Sequence, residues 1–475
     1  MSNLASALAL IALSLADPQP LDVVTALETV VTEAVAKVEP SVVAITRTKS
    51  LDGNQTLAVR GRAPAGADRL IDDPFDEEGF IALPGDFGSG VVIGENGEIL
   101  TLYHLLEGAA RIRVRADDRQ EFDAEIIAAD PRSDLAVIVP KESPDRPKPK
   151  LTPIAIGNAE SLRKGAFLIA LGNPYNTAKD GKASASLGIL SNTARRIMAV
   201  PETDPAEQTV QQRLRNQPTL LQLDSKLNLG MSGGAVVNLK GELVGVTTTG
   251  GSPEAFDAQA GYAIPMDRLG RRIVGVLSEG REVEYGLLGI MLDRAGSNRV
   301  AGVRAGTPAN EVDLRANDLI VAVGDTPVAD REEMSLAISA VPVGTPVKLR
   351  IQRGGEEREI TITIAKFPPA LGVIATAPHQ TWRGLRVDFA STLLAGAFTD
   401  ELMRDVSKGG VSIVNVEPGS PAAAADLKPG QIITEVAGKP IRGPADFFKT
   451  VSPLKGPVTL TAELGPEPHM KVTVK

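Results

Sequence analysis

From Phe87 to about Asp267 the chain is a succession of short apolar runs broken by Gly, Asn and Asp. Gly90–Ile93 leads into the turn Glu95-Asn96-Gly97, and Ile112–Arg115, Leu135–Val139, Phe167–Leu171 and Leu243–Thr248 continue the rhythm. Such a rhythm predicts a β-barrel or a β-sandwich. Ahead of it, residues 21–38 carry apolar positions at helical spacing and predict one amphipathic helix, stopped by Pro40. A strand, Ser41–Ile45, follows. Two stretches interrupt the pattern. Leu51–Pro84 is polar, rich in Gly, Asp and Arg, and ends in the acidic segment Asp72–Phe80; Ile197–Gln217 is the second. Irregular insertions of this length are either functional or disordered.

The C-terminal part repeats itself. Val303–Val328 aligns without gaps on Val416–Ile441, at a fixed offset of 113 positions, with nine of the 26 positions identical. Gly306-Thr307-Pro308-Ala309 falls on Gly419-Ser420-Pro421-Ala422, and Asp313-Leu314 falls on Asp426-Leu427. Two copies are too few for a solenoid, so they are tandem modules.

Composition narrows the chemistry. At 475 residues about three domains are expected. A formal charge of −9 without any basic run argues against nucleic acid as the main partner. The chain has no cysteine, which excludes disulfides, thiolate zinc sites and a thiol nucleophile. Its three histidines, His104, His379 and His469, form no H-E-x-x-H pair, and no P-loop is present, so neither a metal nor a nucleotide cofactor is expected. The run Leu4–Leu15, followed by Ala16-Asp17, is too short to span a bilayer. It fits the core of a signal peptide cleaved near Ala16, although no Lys or Arg precedes it; a leader that stays attached is the other reading.

Two segments stand out chemically. Thr101-Leu102-Tyr103-His104 follows a predicted strand, Gly97–Leu100, and Gly230-Met231-Ser232-Gly233-Gly234 is a small-residue turn ahead of Ala235-Val236-Val237. A serine hydroxyl needs a base to take its proton, and the base needs a carboxylate to hold its tautomer. Between the two lies Asp134, at the head of an apolar strand. Taken singly, each has a plain alternative: a glycine turn, a half-buried histidine, a capping aspartate.

Their joint order resembles the HtrA/Deg family of serine proteases. Six segments carry the resemblance: Gly88–Ile93, Thr101–His104, Asp130–Ala136, Leu171-Gly172-Asn173-Pro174, Gly230–Gly234 and Gly261–Pro265. The repeats resemble the PDZ domains that follow the protease in that family. The resemblance implies a mostly β chain: a possible signal peptide at 1–16, a chymotrypsin-like double β-barrel protease domain over 21–270, and two α+β PDZ domains. The first PDZ domain would span 283–367, a linker 368–381 and the second PDZ domain 382–475. It implies His104, Asp134 and Ser232 as the triad, and the N–H groups of Gly230 and Ser232 as the oxyanion hole. Departures from the family pattern are Leu102, Leu105, Met231 and Ala235, none of which removes a reactive group. Lys226, six residues before Ser232, is either a basic specificity-pocket residue or a solvated loop lysine, and the cost of burying an unpaired ammonium favours the second.

In the first PDZ-like copy, Leu287-Leu288-Gly289-Ile290 resembles a carboxylate-binding loop, with a plain strand as the alternative. Arg383-Gly384-Leu385, after the chain's only tryptophan, Trp382, is the weaker counterpart in the second; Trp382 would lie at a groove edge or pack as an ordinary domain-edge residue. The function implied is an ATP-independent endopeptidase of the bacterial envelope, periplasmic or secreted. It would cleave unfolded or damaged proteins, bind C-terminal peptides at its PDZ domains, and assemble as a homotrimer or larger oligomer. A latent or inactive protease acting as a chaperone or scaffold is the alternative.

Overall fold

Local chemistry sets the element boundaries throughout the computed structural model. It describes residues 20–49, 87–144, 147–173, 182–195, 219–248, 260–293, 297–304, 307–394, 409–463 and 470–475. The predicted leader and both irregular insertions lie outside these residues. The described residues fall into two compact units, drawn from Met1–Glu125, Val139–Arg195 and Leu221–Met266, and from Ile126–Ile138, Arg196–Leu220 and Asp267–Lys475.

In the first unit the predicted helix is present as α1 (Pro20–Val38). Pro40, lacking an N–H to continue the ladder, sits in a single 3-10 turn that ends it. Only Ala34 and Val38 of α1 are buried, and Lys37 Nζ donates to Lys240 O at 2.7 Å. The apolar stripe at Leu21, Val23 and Val24 stays exposed in the single chain.

Six strands follow: β1 (Val42–Lys49), β2 (Phe87–Val92), β3 (Ile99–Leu102), β4 (Ala109–Arg115), β5 (Glu121–Asp130) and β6 (Leu135–Pro140). They form one closed barrel, so the fold is the double barrel that the resemblance implies. β1 pairs antiparallel with both β2 and β4. β3 starts two residues later than expected, because Gly97 N–H turns back onto Gly94 O (3.1 Å). The second barrel takes β8 (Phe167–Gly172) to β13 (Gly261–Pro265), with β9 (Ser184–Arg195), β10 (Leu220–Leu223), β11 (Ala235–Val237) and β12 (Glu242–Thr248) between them. A two-residue strand before them, β7 (Ala155–Ile156), runs parallel to β12. Leu168, Leu190, Leu221, Leu223, Val236 and Val244 form the core of this barrel.

After the barrels, the second unit continues with α2 (Arg268–Ser278), capped by the Asp267 carboxylate on Gly270 N–H. Strands β14 (Gly286–Leu287), β15 (Ile290–Leu292) and β16 (Val300–Val303) lead to a short helix α3 (Pro308–Glu311). After it come β17 (Leu319–Val323), β18 (Thr326–Pro327), helix α4 (Arg331–Ser339), β19 (Pro346–Arg353), β20 (Glu356–Thr363) and β21 (Ala365–Lys366). A two-residue strand, β22 (Ile374–Ala375), precedes the second copy: β23 (Leu385–Phe389), β24 (Val411–Val416), α5 (Pro421–Ala424), β25 (Ile432–Val436), β26 (Lys439–Pro440), α6 (Pro444–Val451), β27 (Val458–Glu463) and β28 (Met470–Val474).

The offset of 113 read from the sequence holds for whole elements. β17, β18 and the starts of α3 and α4 fall on β25, β26, α5 and α6. The helix starts reuse one device. Glu333 accepts from Ala329 N–H (2.8 Å), and its counterpart Asp446 accepts from Arg442 N–H (3.1 Å). A carboxylate in the first turn satisfies a donor that the helix leaves open. Met334 and Phe447, also counterparts, plug the two cores from α4 and α6, together with the buried pair Ile338 and Val451. Phe447 is fully buried, so Phe447→Ala should destabilise the second repeat by about 3–5 kcal/mol. Calorimetry of the full chain should show that transition alone moving to lower temperature.

Candidate active site

Ser232 lies in a tight turn between the second barrel's core and β11. Met231 N–H donates to Asn228 O (3.1 Å), and Gly230, with φ +93°, occupies the third position of that turn. A positive φ there is the mark of a type II turn, which glycine adopts without strain. Gly233 follows at φ +85°, and a Cβ on it would collide with Ser89 O and crowd Thr101 Oγ1. The glycine spacing in Gly230-Met231-Ser232-Gly233 is therefore set by backbone shape. Met231 turns its side chain into the barrel core and its carbonyl to Thr247 Oγ1, so the residue that departs from the family pattern acts as core packing.

The histidine segment reaches the same place from β3. Thr101 and Leu102 are buried on β3, and His104 is half-buried in the 3-10 turn Tyr103–Leu105. Arg47, buried on β1, holds this turn from behind, donating to His104 O (3.2 Å) and Glu107 O (2.8 Å). Sequence reading passed over Arg47, since a lone arginine in a strand carries no motif.

Ser89 on β2 joins the two segments. Its N–H donates to Ser232 O (2.8 Å) and its Oγ to Gly230 O (2.8 Å). The same Oγ accepts from Asn173 N–H (2.8 Å), and Ser89 O accepts from Thr101 Oγ1 (2.8 Å). Four bonds from one fully buried residue fix the turn carrying Ser232 against the strand leading to His104. Next to it, a Cβ on Gly88 would lie against Leu105 and 3.0 Å from Ser232 O, so the segment after His104 and the serine turn share one wall. The Gly88–Ile93 motif was visible in the sequence, but the role of its serine hydroxyl was not.

Asp134 belongs to the second unit, at the turn between β5 and β6. It is fully buried, with φ +56°. That backbone is uncommon outside glycine and is tolerated best by Asp and Asn. Lys226 is exposed, as expected of a solvated loop lysine.

The PDZ-like loops are equivalent in the two repeats. Gly289 (φ +82°) packs on Thr307 and Gly384 (φ +81°) on Ser420, residues 113 apart, and neither site has room for a Cβ. Ala309 N–H donates to Leu288 O (2.9 Å), and Ala422 N–H to Arg383 O (3.2 Å). Leu287 and Ile290 lie on β14 and β15, with Leu288 buried in the core, so this stretch is two short strands broken at Leu288-Gly289 and not one plain strand. In the second repeat, Trp382 and Leu385 exchange both backbone bonds (3.0 and 2.9 Å) across a turn with positive φ at Arg383 and Gly384. Arg383 donates to Val474 O (2.7 Å) and Gly456 O (2.6 Å), Leu385 is core, and Trp382 stands edge-on to Phe447.

Comparison with known proteins places names on these parts. Residues 88–246 match the family described as trypsin-like peptidase domain, and residues 286–364 and 412–463 each match a PDZ domain. The chain is 28% identical over 452 residues to a probable periplasmic serine endoprotease DegP-like of Chlamydia trachomatis, covering 89% of this chain and 83% of that one. It is 29% identical over 380 residues to the periplasmic pH-dependent serine endoprotease DegQ of Escherichia coli, covering 77% and 75%. It is 26% identical over 468 residues to the periplasmic serine endoprotease DegP of the same species, covering 90% and 88%. Among solved structures, the HtrA-type protease AlgW with a tripeptide shares the fold (TM-score 0.51, 23% identity, 72% of this chain and 98% of that one).

Ser89→Ala leaves Gly230 O and Asn173 N–H buried without their partner. It should lower the stability of the first unit by about 2–6 kcal/mol, at about 1–3 kcal/mol for each of the two groups. Chemical denaturation followed by circular dichroism would read the loss.

Proposed function

We propose that the chain is a serine endopeptidase of the HtrA/Deg family, with His104, Asp134 and Ser232 as its triad. One observation carries the assignment: the turn that holds Ser232 is locked by Ser89 to the strand that delivers His104. Ser232 Oγ attacks the carbonyl carbon of the scissile bond while His104 takes its proton. The carbonyl oxygen becomes an oxyanion, stabilised by the N–H groups of Gly230 and Ser232. The C–N bond then breaks, and His104 gives the proton to the departing amine. Water attacks the acyl-enzyme by the same route, releasing the acid and restoring Ser232. Asp134 holds the histidine's tautomer and stabilises its imidazolium.

The substrates we propose are unfolded or damaged proteins of the bacterial envelope, cut without nucleotide hydrolysis. The periplasmic relatives support the compartment, as does the run Leu4–Leu15. The first PDZ repeat is the better candidate for capturing C-terminal peptides, through Leu287, Leu288, Gly289 and Ile290. Its counterpart in the second, Arg383, Gly384 and Leu385, is weaker because Leu385 N–H is already bonded to Trp382 O. A homotrimer or larger assembly is the form we expect.

Ser232→Ala, His104→Ala and Asp134→Ala should each lower kcat by roughly three to six powers of ten without unfolding the chain. Hydrolysis of an unfolded protein in buffer free of nucleotide would measure it. Full activity in any of the three would remove that residue from the triad, and absence of cleavage by the wild type would favour a scaffold.

A further inference from the structure

The loop that carries Asp134 is held by the C-terminal half of the chain. Residues 126–138 group with 267–475 and not with the rest of the first barrel. At the loop's start, the buried Asp130 carboxylate accepts from Arg132 N–H (3.2 Å) and Ser133 N–H (3.1 Å), and from the hydroxyl of Tyr285. Tyr285 is itself buried and stands one residue before β14, the first strand of the first repeat. The Arg132 guanidinium lies between two rings, 4.7 Å from the centre of Tyr285 and 4.1 Å from that of Phe367. Phe367 directly follows β21, the last strand of that repeat, and its N–H donates to Tyr285 O (2.7 Å). Entry and exit of the repeat are thus joined to each other and close on the loop together. Upstream, β22 pairs with β5 at Ala128 and Ala129, and Thr376 N–H and Oγ1 both donate to Ile127 O (3.1 and 2.8 Å).

Such contacts exceed what a turn needs for its own stability. Asp134 takes a left-handed backbone that persists only where surrounding structure over-determines it. Among the groups beyond the loop itself that hold it are Tyr285, Phe367 and β22. Burial pushes Asp130 up from the usual carboxylate range, opposed by the hydrogen bonds it accepts, those from Ser133 and Tyr285 among them.

We propose that Tyr285 and Arg132 are positioning residues for Asp134, through which the root of the first PDZ repeat holds the Asp130–Asp134 loop in its working shape. The inference rests on Asp134 being the triad carboxylate. Tyr285→Phe removes the hydroxyl and keeps the ring; Arg132→Lys keeps the charge and removes the flat face that lies between the rings. Both would be compared in the full chain with wild type and Asp134→Asn, using an unfolded protein as substrate. Active sites would be counted by labelling to completion with a fluorophosphonate. The expected result is about a tenfold lower kcat per labelled site in both variants, with KM within twofold of wild type. A variant that merely loses folded molecules loses labelled sites and keeps kcat per site. Wild-type kcat per site in both variants, beside an inactive Asp134→Asn, would overturn the inference and leave the triad standing. An active Asp134→Asn would instead remove the triad reading itself. If Tyr285→Phe does not fold, Arg132→Lys decides alone.

Discussion

The serine and histidine segments of the candidate site depend on one buried serine on the second strand. Ser89 has a single hydroxyl and a single peptide unit, yet it ties the serine turn, the strand before the histidine and Asn173 just after β8. A nucleophile turn built from Gly230-Met231-Ser232-Gly233 has little shape of its own, because glycine costs the most backbone entropy to order. It is ordered from outside, and Gly233 lets the turn approach Ser89 O closely. Reactivity of a serine hydroxyl therefore starts from ordinary hydrogen bonds in a dry place, where each is hard to replace.

The carboxylate of the proposed triad is held differently. Asp134 sits in a left-handed backbone, in a loop whose buried Asp130 accepts from the hydroxyl of Tyr285. Stability and chemistry meet at Asp130, Arg132 and Tyr285, where a charge, a guanidinium and two rings pack at close range. The two PDZ repeats share a plan but not a role: the first closes on the Asp134 loop, while the second commits its equivalent arginine to its own last strands.

Much of this was legible in the sequence, and the limits are physical. The 113-residue offset read over Val303–Val328 carries on into α4 and α6, whose first turns each place a carboxylate on a preceding N–H. Strands showed where apolar runs met glycine turns, with errors of two residues at places such as Gly97. The unusual Leu102, Leu105 and Met231 proved to be buried core positions, where a larger apolar residue is at home. What stayed hidden is long-range. Nothing local distinguishes Ser89 Oγ, the clasp of Arg47 or the hydroxyl of Tyr285, since each partner lies tens of residues or more away. Residues 368–381 read as a linker, and a two-residue strand such as β22 has no period to betray it.

The most direct test of the account is to treat the full chain with diisopropyl fluorophosphate and map the adduct by mass spectrometry. One assembled site predicts a single modification, on Ser232, that disappears when the chain is unfolded first. An adduct on another residue, or no adduct on the folded chain, would contradict it.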